Sequence, residues 1–310
     1  MKLILLLNMG GASSLDDVKI FLKNMFNDQC ILGINNNFFR KILASFIVKI
    51  RLHQAQENYK QIGGKSPIGE LTKSLCNKLN SLAQSDIKFE YVMNYTAPFC
   101  KDVLARYANA DEIIVFPLYP HHSITTITSS LKDFYKSYNE LNLKAKVREI
   151  SEFYECDEYN KLIINDIKQK IANAQASEIS LIFSAHSLPQ KTIDRGDKYE
   201  KHINEHVKIL TSMLNQKDIN FKEIKLAYQS RLGPVKWLEP NLSDVLKNLQ
   251  NKKALIYPLS FCVDNSETVF ELDIEYRHIA KELNFDFYEV CKCPNDSDGF
   301  VNFIQNQIKE

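Results

Sequence analysis

Short, almost uniformly apolar runs, each ended by polar residues and parted by longer helix-like stretches, set the tightest limit on what this chain can become. They read LILLLNMGG (3–11), FEYVMNY (89–95), EIIVFPLYP (112–120), EISLIFSAH (178–186), IKLAYQS (224–230) and KALIYPLSF (253–261). Runs this short and this apolar suit strands buried on both faces, and the stretches between them suit crossover helices. The pattern predicts an α/β fold with mainly parallel sheets flanked by helices. In open sheets of this kind the working groups gather at the carboxyl ends of the strands. The residues found there are Asn8-Met9-Gly10-Gly11, His121-His122-Ser123, His186-Ser187, Gln229-Ser230-Arg231 and Asp264 through Glu267. The runs fall into two groups, with 142–162 as the passage between them, so the expected halves are 1–148 and 149–310.

With 310 residues and 45% hydrophobic content the chain has ample material for a packed core. Its 39 basic and 38 acidic residues leave no polybasic footprint for nucleic acid, and small-molecule chemistry is expected instead. Seven cysteines, odd in number and scattered, make a poor disulfide framework and read as reduced thiols of an intracellular, cytoplasmic chain. CKC at 291–293 has no second pair and falls short of a four-ligand zinc or iron–sulfur pattern. The apolar run Leu3–Leu7 is shorter than the core of a signal peptide, and no segment approaches the roughly 18 apolar residues of a membrane span.

Several motifs admit two readings. There is no G-x-S-x-G nucleophile elbow, NMGGASS lacks the third glycine of a dinucleotide fingerprint, and IGGKSP (62–67) lacks the upstream glycine of a P-loop. Both glycine stretches therefore read as strand-to-helix turns. His186 closes a buried strand, where an imidazole serves as base or metal ligand, or is simply hydrogen-bonded. Glu267, Glu271 and Glu275 recur every fourth residue, which on an α-helix keeps them within about 80° of arc. Thr268 and Glu271 have the form of a capping box, which accounts for the first two acids and not for Glu275; the other reading of the row is a path for a cation. Phe38, Phe39, Ile42, Leu43, Phe46, Ile47 and Ile50 form one stripe among Arg40, Lys41, Lys49 and Arg51. It is either the packed face of an amphipathic helix or an apolar lip for a flat hydrophobic ligand or a membrane surface. Trp237, the only tryptophan, reads as core, with Gln229, Ser230 and Arg231 as polar anchors nearby.

Taken together, LLLNMGG, IGGKSPIGELT (62–72), FPLYPHHSITTITSS (116–130), FSAHSLPQKTIDRGDKY (183–199), YQSRLGPVKWLEP (228–240) and PLSFCVDNSETVFELDIEYR (258–277) resemble the ferrochelatase family over nearly the whole chain. The resemblance implies a chelatase-like fold of two Rossmann-like halves with a porphyrin cleft between them, and the lyase reaction that inserts ferrous iron into a porphyrin. It implies catalytic roles for His186 and Glu267, metal handling by His186, Glu267, Glu271, Glu275 and Asp264, and porphyrin contacts from Met9, Tyr95, Trp237, Ser123 and Thr126. Ferrous iron and porphyrin are then the substrates, with no prosthetic group or iron–sulfur cluster and with peripheral membrane contact at the lip. The chain departs from the family pattern at Asn265, where relatives often carry histidine, at Lys65 of IGGKSP, and at Asn94, where some relatives carry arginine. It also stops soon after CPNDSDGF, short of the cysteine-bearing extension of some relatives.

Overall fold

The computed structural model describes every residue except Asn173, Leu232 and Glu310, so one position of YQSRLGPVKWLEP lies outside the described residues. The chain divides into two compact units, Met1–Glu152 with Asn295–Glu310, and Phe153–Pro294. The first holds a parallel sheet of β1 (Lys2–Asn8), β2 (Ile87–Met93), β3 (Glu112–Pro117) and β4 (Lys146–Glu149) in the order β2-β1-β3-β4. The second holds β5 (Ser180–His186), β6 (Glu223–Gln229), β7 (Lys253–Pro258) and β8 (Phe287–Val290), again parallel, in the order β6-β5-β7-β8. The six apolar runs supply β1, β2, β3, β5, β6 and β7, and in the four inner strands Leu3 through Leu7, Ile113 through Phe116, Leu181 through Phe183 and Ala254 through Tyr257 are all buried. Helices cover both faces of such strands, which is why the runs are apolar throughout rather than alternating.

Three expectations change. The edge strands β4 and β8 were not foreseen, because each is four residues long and only partly buried, and four residues without a full apolar face carry little periodic signal. β4 occupies part of the stretch read as a passage between the halves. The second half was expected to run to residue 310, whereas residues 295–310 belong to the first unit. The reason lies in the helix Asp298–Gln307, which buries Phe300, Val301, Phe303 and Ile304. Phe303 meets Phe116 of β3 edge-to-face at 6.4 Å, and Ser74 Oγ donates to Asp296 at 2.5 Å.

The helix Asn37–Gln61 presents its stripe outward. Its buried residues are Ala44, Val48 and Tyr59, while Phe38, Phe46 and Ile50 are 68%, 60% and 62% exposed. The packed amphipathic reading is thereby overturned, because small and β-branched residues let the helix sit close while the large side chains remain free. Asn36 caps it by accepting from the N–H groups of Phe38 and Phe39, and Arg40 ties its first turn to the carbonyls of Asn27 and Ile34, each at 2.8 Å.

Candidate active site

β5 leads to β6 on one side and the chain then crosses to β7 on the other, so the carboxyl end of β5 is a switch point of the second sheet. His186 is the last residue of β5 and pairs in register with Gln229 at the end of β6. Its backbone is held from two sides: His186 N donates to Ser260 Oγ at 3.0 Å, and Tyr199 Oη donates to His186 O at 3.0 Å. Ser260 comes from PLSF and Tyr199 from GDKY, so both motifs act on the strand end that carries the imidazole.

After β7 the chain enters a π-helical segment, Glu267–Glu275, before resuming as the α-helix Tyr276–Glu282. π-Helical turns are rare and concentrate at functional sites. The capping box expected of Thr268 and Glu271 does not form. Asn265 takes that place: its Oδ1 accepts from Glu267 N–H at 2.8 Å, and its own N–H donates to Thr268 Oγ1 at 3.0 Å. The asparagine that departs from the family pattern is thus the residue that fixes the start of the segment.

Glu267 Oε2 lies 2.7 Å from His186 Nδ1, with the side chains 26% and 35% exposed. Nδ1–H donates to the carboxylate in this arrangement, which leaves Nε2 as the basic ring nitrogen. Burial works against the imidazolium, yet the charge and hydrogen bond of Glu267 outweigh it and raise His186 above its ordinary value. Burial likewise opposes ionisation of Glu267, and His186, with help from Ser230 and Gln229, overcomes it and holds the carboxyl below its ordinary value. The carboxylate is thus placed to stabilise the imidazolium that forms when Nε2 takes up a proton.

Glu271 is gripped at both oxygens. Ser230 N–H donates to Oε1 at 2.7 Å, and Ser230 Oγ bonds Oε2 while also lying 3.3 Å from Glu267 Oε2. Burial, and then the charge of Glu267, push Glu271 up to about 7. Glu275 lies further along the segment and is exposed, although partial burial still raises its carboxyl. Of the three acids in the row, two converge on one serine and the third stands toward solvent.

The remaining expected residues are distributed unevenly. Asp264 is buried and accepts from Cys293 N–H at 3.3 Å, an engagement separate from the His186–Glu267–Glu271 cluster. Among the described residues no group of three or more His, Cys, Asp or Glu is arranged to hold a metal ion. Glu267 and Glu271 are instead joined through the Ser230 donors. Trp237 is half-buried and not core, on a short antiparallel bridge with Pro189.

In the first unit Met9 follows β1, its N–H donating to Asn8 Oδ1 at 2.9 Å. Ser123 caps the π-helical turn Ile124–Thr128, which places half-buried Thr126 in its middle. Tyr95 is only 3% exposed; its hydroxyl donates to Asp28 Oδ2 at 2.8 Å and its ring meets Phe21 edge-on. Its placement offers support for the loop after β2 rather than an open contact face. Lys65 pairs with the exposed Glu70 at 2.5 Å, and Asn94 donates to Ser129 Oγ at 2.7 Å. All seven cysteines are free thiols.

Sequence reasoning named Ser230 only as an anchor beside Trp237 and missed its grip on the acids. The signal lay in the order of the motifs: QSR closes β6, next to the strand that ends in His186.

The fold is shared with tetrapyrrole chelatases of low sequence identity. Sirohydrochlorin chelatase SirB from Bacillus subtilis subspecies spizizenii, solved in complex with cobalt, superposes with a TM-score of 0.58 at 10% identity, over 100% of this chain and 95% of that one. CbiX, the terminal enzyme of siroheme biosynthesis in denitrifying bacteria, gives 0.55 at 12% identity, over 99% and 97%. Sequence relatives are much nearer. The ferrochelatase of Campylobacter concisus (strain 13826) is 61% identical over 308 residues, covering 99% of this chain and 97% of that protein. The ferrochelatase of Sulfurimonas denitrificans is 45% identical over 303 residues, covering 97% and 96%. The ferrochelatase family profile matches residues 2–310, and with the cluster at the ends of β5, β6 and β7 described, the chain belongs to the ferrochelatase family.

Proposed function

We propose that His186 and Glu267 are the reacting pair of a lyase that inserts ferrous iron into protoporphyrin IX, releasing the two pyrrole protons and forming heme. The observation that carries this reading is the 2.7 Å contact between His186 Nδ1 and Glu267. It leaves Nε2 free to accept a pyrrole proton, and the adjacent carboxylate stabilises the imidazolium that results. Iron acts as substrate and not as a resident centre, a role suited to carboxylate and imidazole ligands that release it again. Glu267, Glu271 and the exposed Glu275 offer a graded acidic path by which protons leave or hydrated iron approaches, with Asp264 just upstream as the family resemblance implies. No prosthetic group is required, so protein stripped by a chelator keeps full turnover once ferrous iron is supplied.

Porphyrin contacts at Met9, Ser123, Thr126 and Trp237 follow from the family resemblance, with Tyr95 in a supporting place. Distortion of the macrocycle by such contacts exposes the nitrogen lone pairs to the ion, a use of binding energy to approach the transition state. The outward stripe from Phe38 to Ile50, flanked by Lys41, Lys49 and Arg51, supports contact with a flat apolar ligand or the cytoplasmic membrane surface. Among the described residues no helix is long and apolar enough to cross a membrane.

The test is an anaerobic assay with ferrous iron, following porphyrin fluorescence loss and heme absorbance for protoporphyrin and coproporphyrin side by side. Faster turnover of protoporphyrin is expected. Preference for coproporphyrin would change the substrate, and tight binding without metalation would overturn the lyase.

A further inference from the structure

Ser230 stands out for its backbone. It has φ of +67°, in the left-handed region where glycine, asparagine and aspartate are at home and serine is not. A glycine would adopt this conformation at no steric cost. What glycine lacks is the hydroxyl, and that hydroxyl bonds Glu271 Oε2 and lies 3.3 Å from Glu267 Oε2, while the backbone N–H holds Glu271 Oε1 at 2.7 Å. The left-handed turn is what aims both donors at the same carboxylate directly after Gln229, whose strand partner is His186. Two acids one turn apart repel each other, and a shared donor between them counters that repulsion.

We propose that Ser230 is a positioning residue for metalation: its hydroxyl, delivered by the left-handed backbone, draws Glu271 against Glu267 and so sets the geometry of the Glu267 carboxylate opposite His186. The inference rests on the His186–Glu267 reading. Ser230 touches neither iron nor porphyrin in this account; it acts through the two glutamates.

The experiment compares Ser230→Gly with Ser230→Ala, Glu271→Gln and the double variant Ser230→Gly/Glu271→Gln, in the full chain. Anaerobic initial rates are taken against both protoporphyrin and ferrous iron, and melting is recorded. Ser230→Gly keeps the backbone conformation and N–H, so it folds; loss of a hydrogen bond to charged groups predicts roughly a tenfold to hundredfold fall in kcat. Ser230→Ala falls at least as far. The KM for protoporphyrin stays within about twofold of the parent, because the macrocycle contacts are untouched. In the Glu271→Gln background the Gly substitution costs little more, since residues acting through one another are not additive. Parental kcat in Ser230→Gly, or fully additive losses in the double variant, overturns the proposal. His186→Ala separates the two levels: if it retains full turnover the reacting pair is wrong, whereas if it is inactive and Ser230→Gly is not, only the role of Ser230 fails.

Discussion

In the first unit β3 is followed by a π-helical turn, Ile124–Thr128, and then by the helix Ser129–Glu140; in the second, β7 is followed by the π-helical segment Glu267–Glu275 and then by the helix Tyr276–Glu282. Each begins at a side-chain cap, Ser123 Oγ accepting from Thr125 N–H at 3.1 Å and Asn265 Oδ1 accepting from Glu267 N–H at 2.8 Å. The strand orders correspond as well. What differs is the chemistry placed on this shared plan. β1 ends in Asn8, whose amide is used locally by Thr72 and Met9, whereas β5 ends in His186. The first π-helical turn carries threonines and isoleucines, and the second carries three glutamates. A common scaffold thus presents neutral hydroxyl groups in one unit and an acid–imidazole couple in the other, and the proposed proton transfer belongs to the second.

That contrast can be broken by experiment, beginning where the effect is greatest. Glu267→Gln removes the carboxylate that supports the imidazolium, and kcat should fall by about 10²–10⁴-fold, the usual worth of positioned acid–base catalysis. Thr126→Val, the matching change in the first unit, should alter porphyrin KM by no more than a few-fold, consistent with about one neutral hydrogen bond. Rapid-mixing metalation assays of the two variants side by side check this, and equal losses in both would erase the distinction between the units. Phe38→Ser with Phe39→Ser should weaken porphyrin affinity by severalfold while leaving the melting temperature nearly unchanged, since exposed apolar side chains contribute little to the core. A large drop in melting temperature would return the stripe to a packing role.

Glu271 sharpens the comparison through pH. Its carboxyl is held up to about 7 against an ordinary 4.5, first by burial and then by Glu267. The folded state therefore holds its proton more tightly than the unfolded chain. The resulting stabilisation is fully present below about 4.5 and lost as pH rises through about 7. Glu271→Gln, which cannot ionise, should gain on the parent across that window by up to about 3 kcal/mol, seen as a widening melting-temperature difference. A constant difference would remove Glu271 from the buried pair. The smallest effect concerns the caps: Asn265→Ala and Ser123→Ala should each cost about 1 kcal/mol in denaturant unfolding. Asn265→Ala should also reduce kcat, because that cap leads into an acid, whereas Ser123→Ala should act on the porphyrin KM.

The inner strands were legible because burial on both faces leaves an unbroken apolar run, as in Leu3–Leu7 and Leu181–Phe183. Their polar ends pointed to His186 and Glu267 for the same reason, since a switch point exposes whatever follows the strand. The short edge strands β4 and β8, the return of residues 295–310 to the first unit and the outward face of Phe38 depend on packing partners distant in sequence. The π-helical segment was hidden because acids every fourth residue look the same on an α-helix, and Thr268–Glu271 imitates a cap that Asn265 supplies. Ser230 was hidden more deeply still. Its role requires a left-handed serine and the adjacency of β5 and β6, and neither is written in a local pattern.

The most direct measurement is iron insertion and porphyrin binding in the same anaerobic sample of His186→Ala. The account predicts near-complete loss of heme formation with protoporphyrin affinity largely retained; parental turnover by this variant would contradict it.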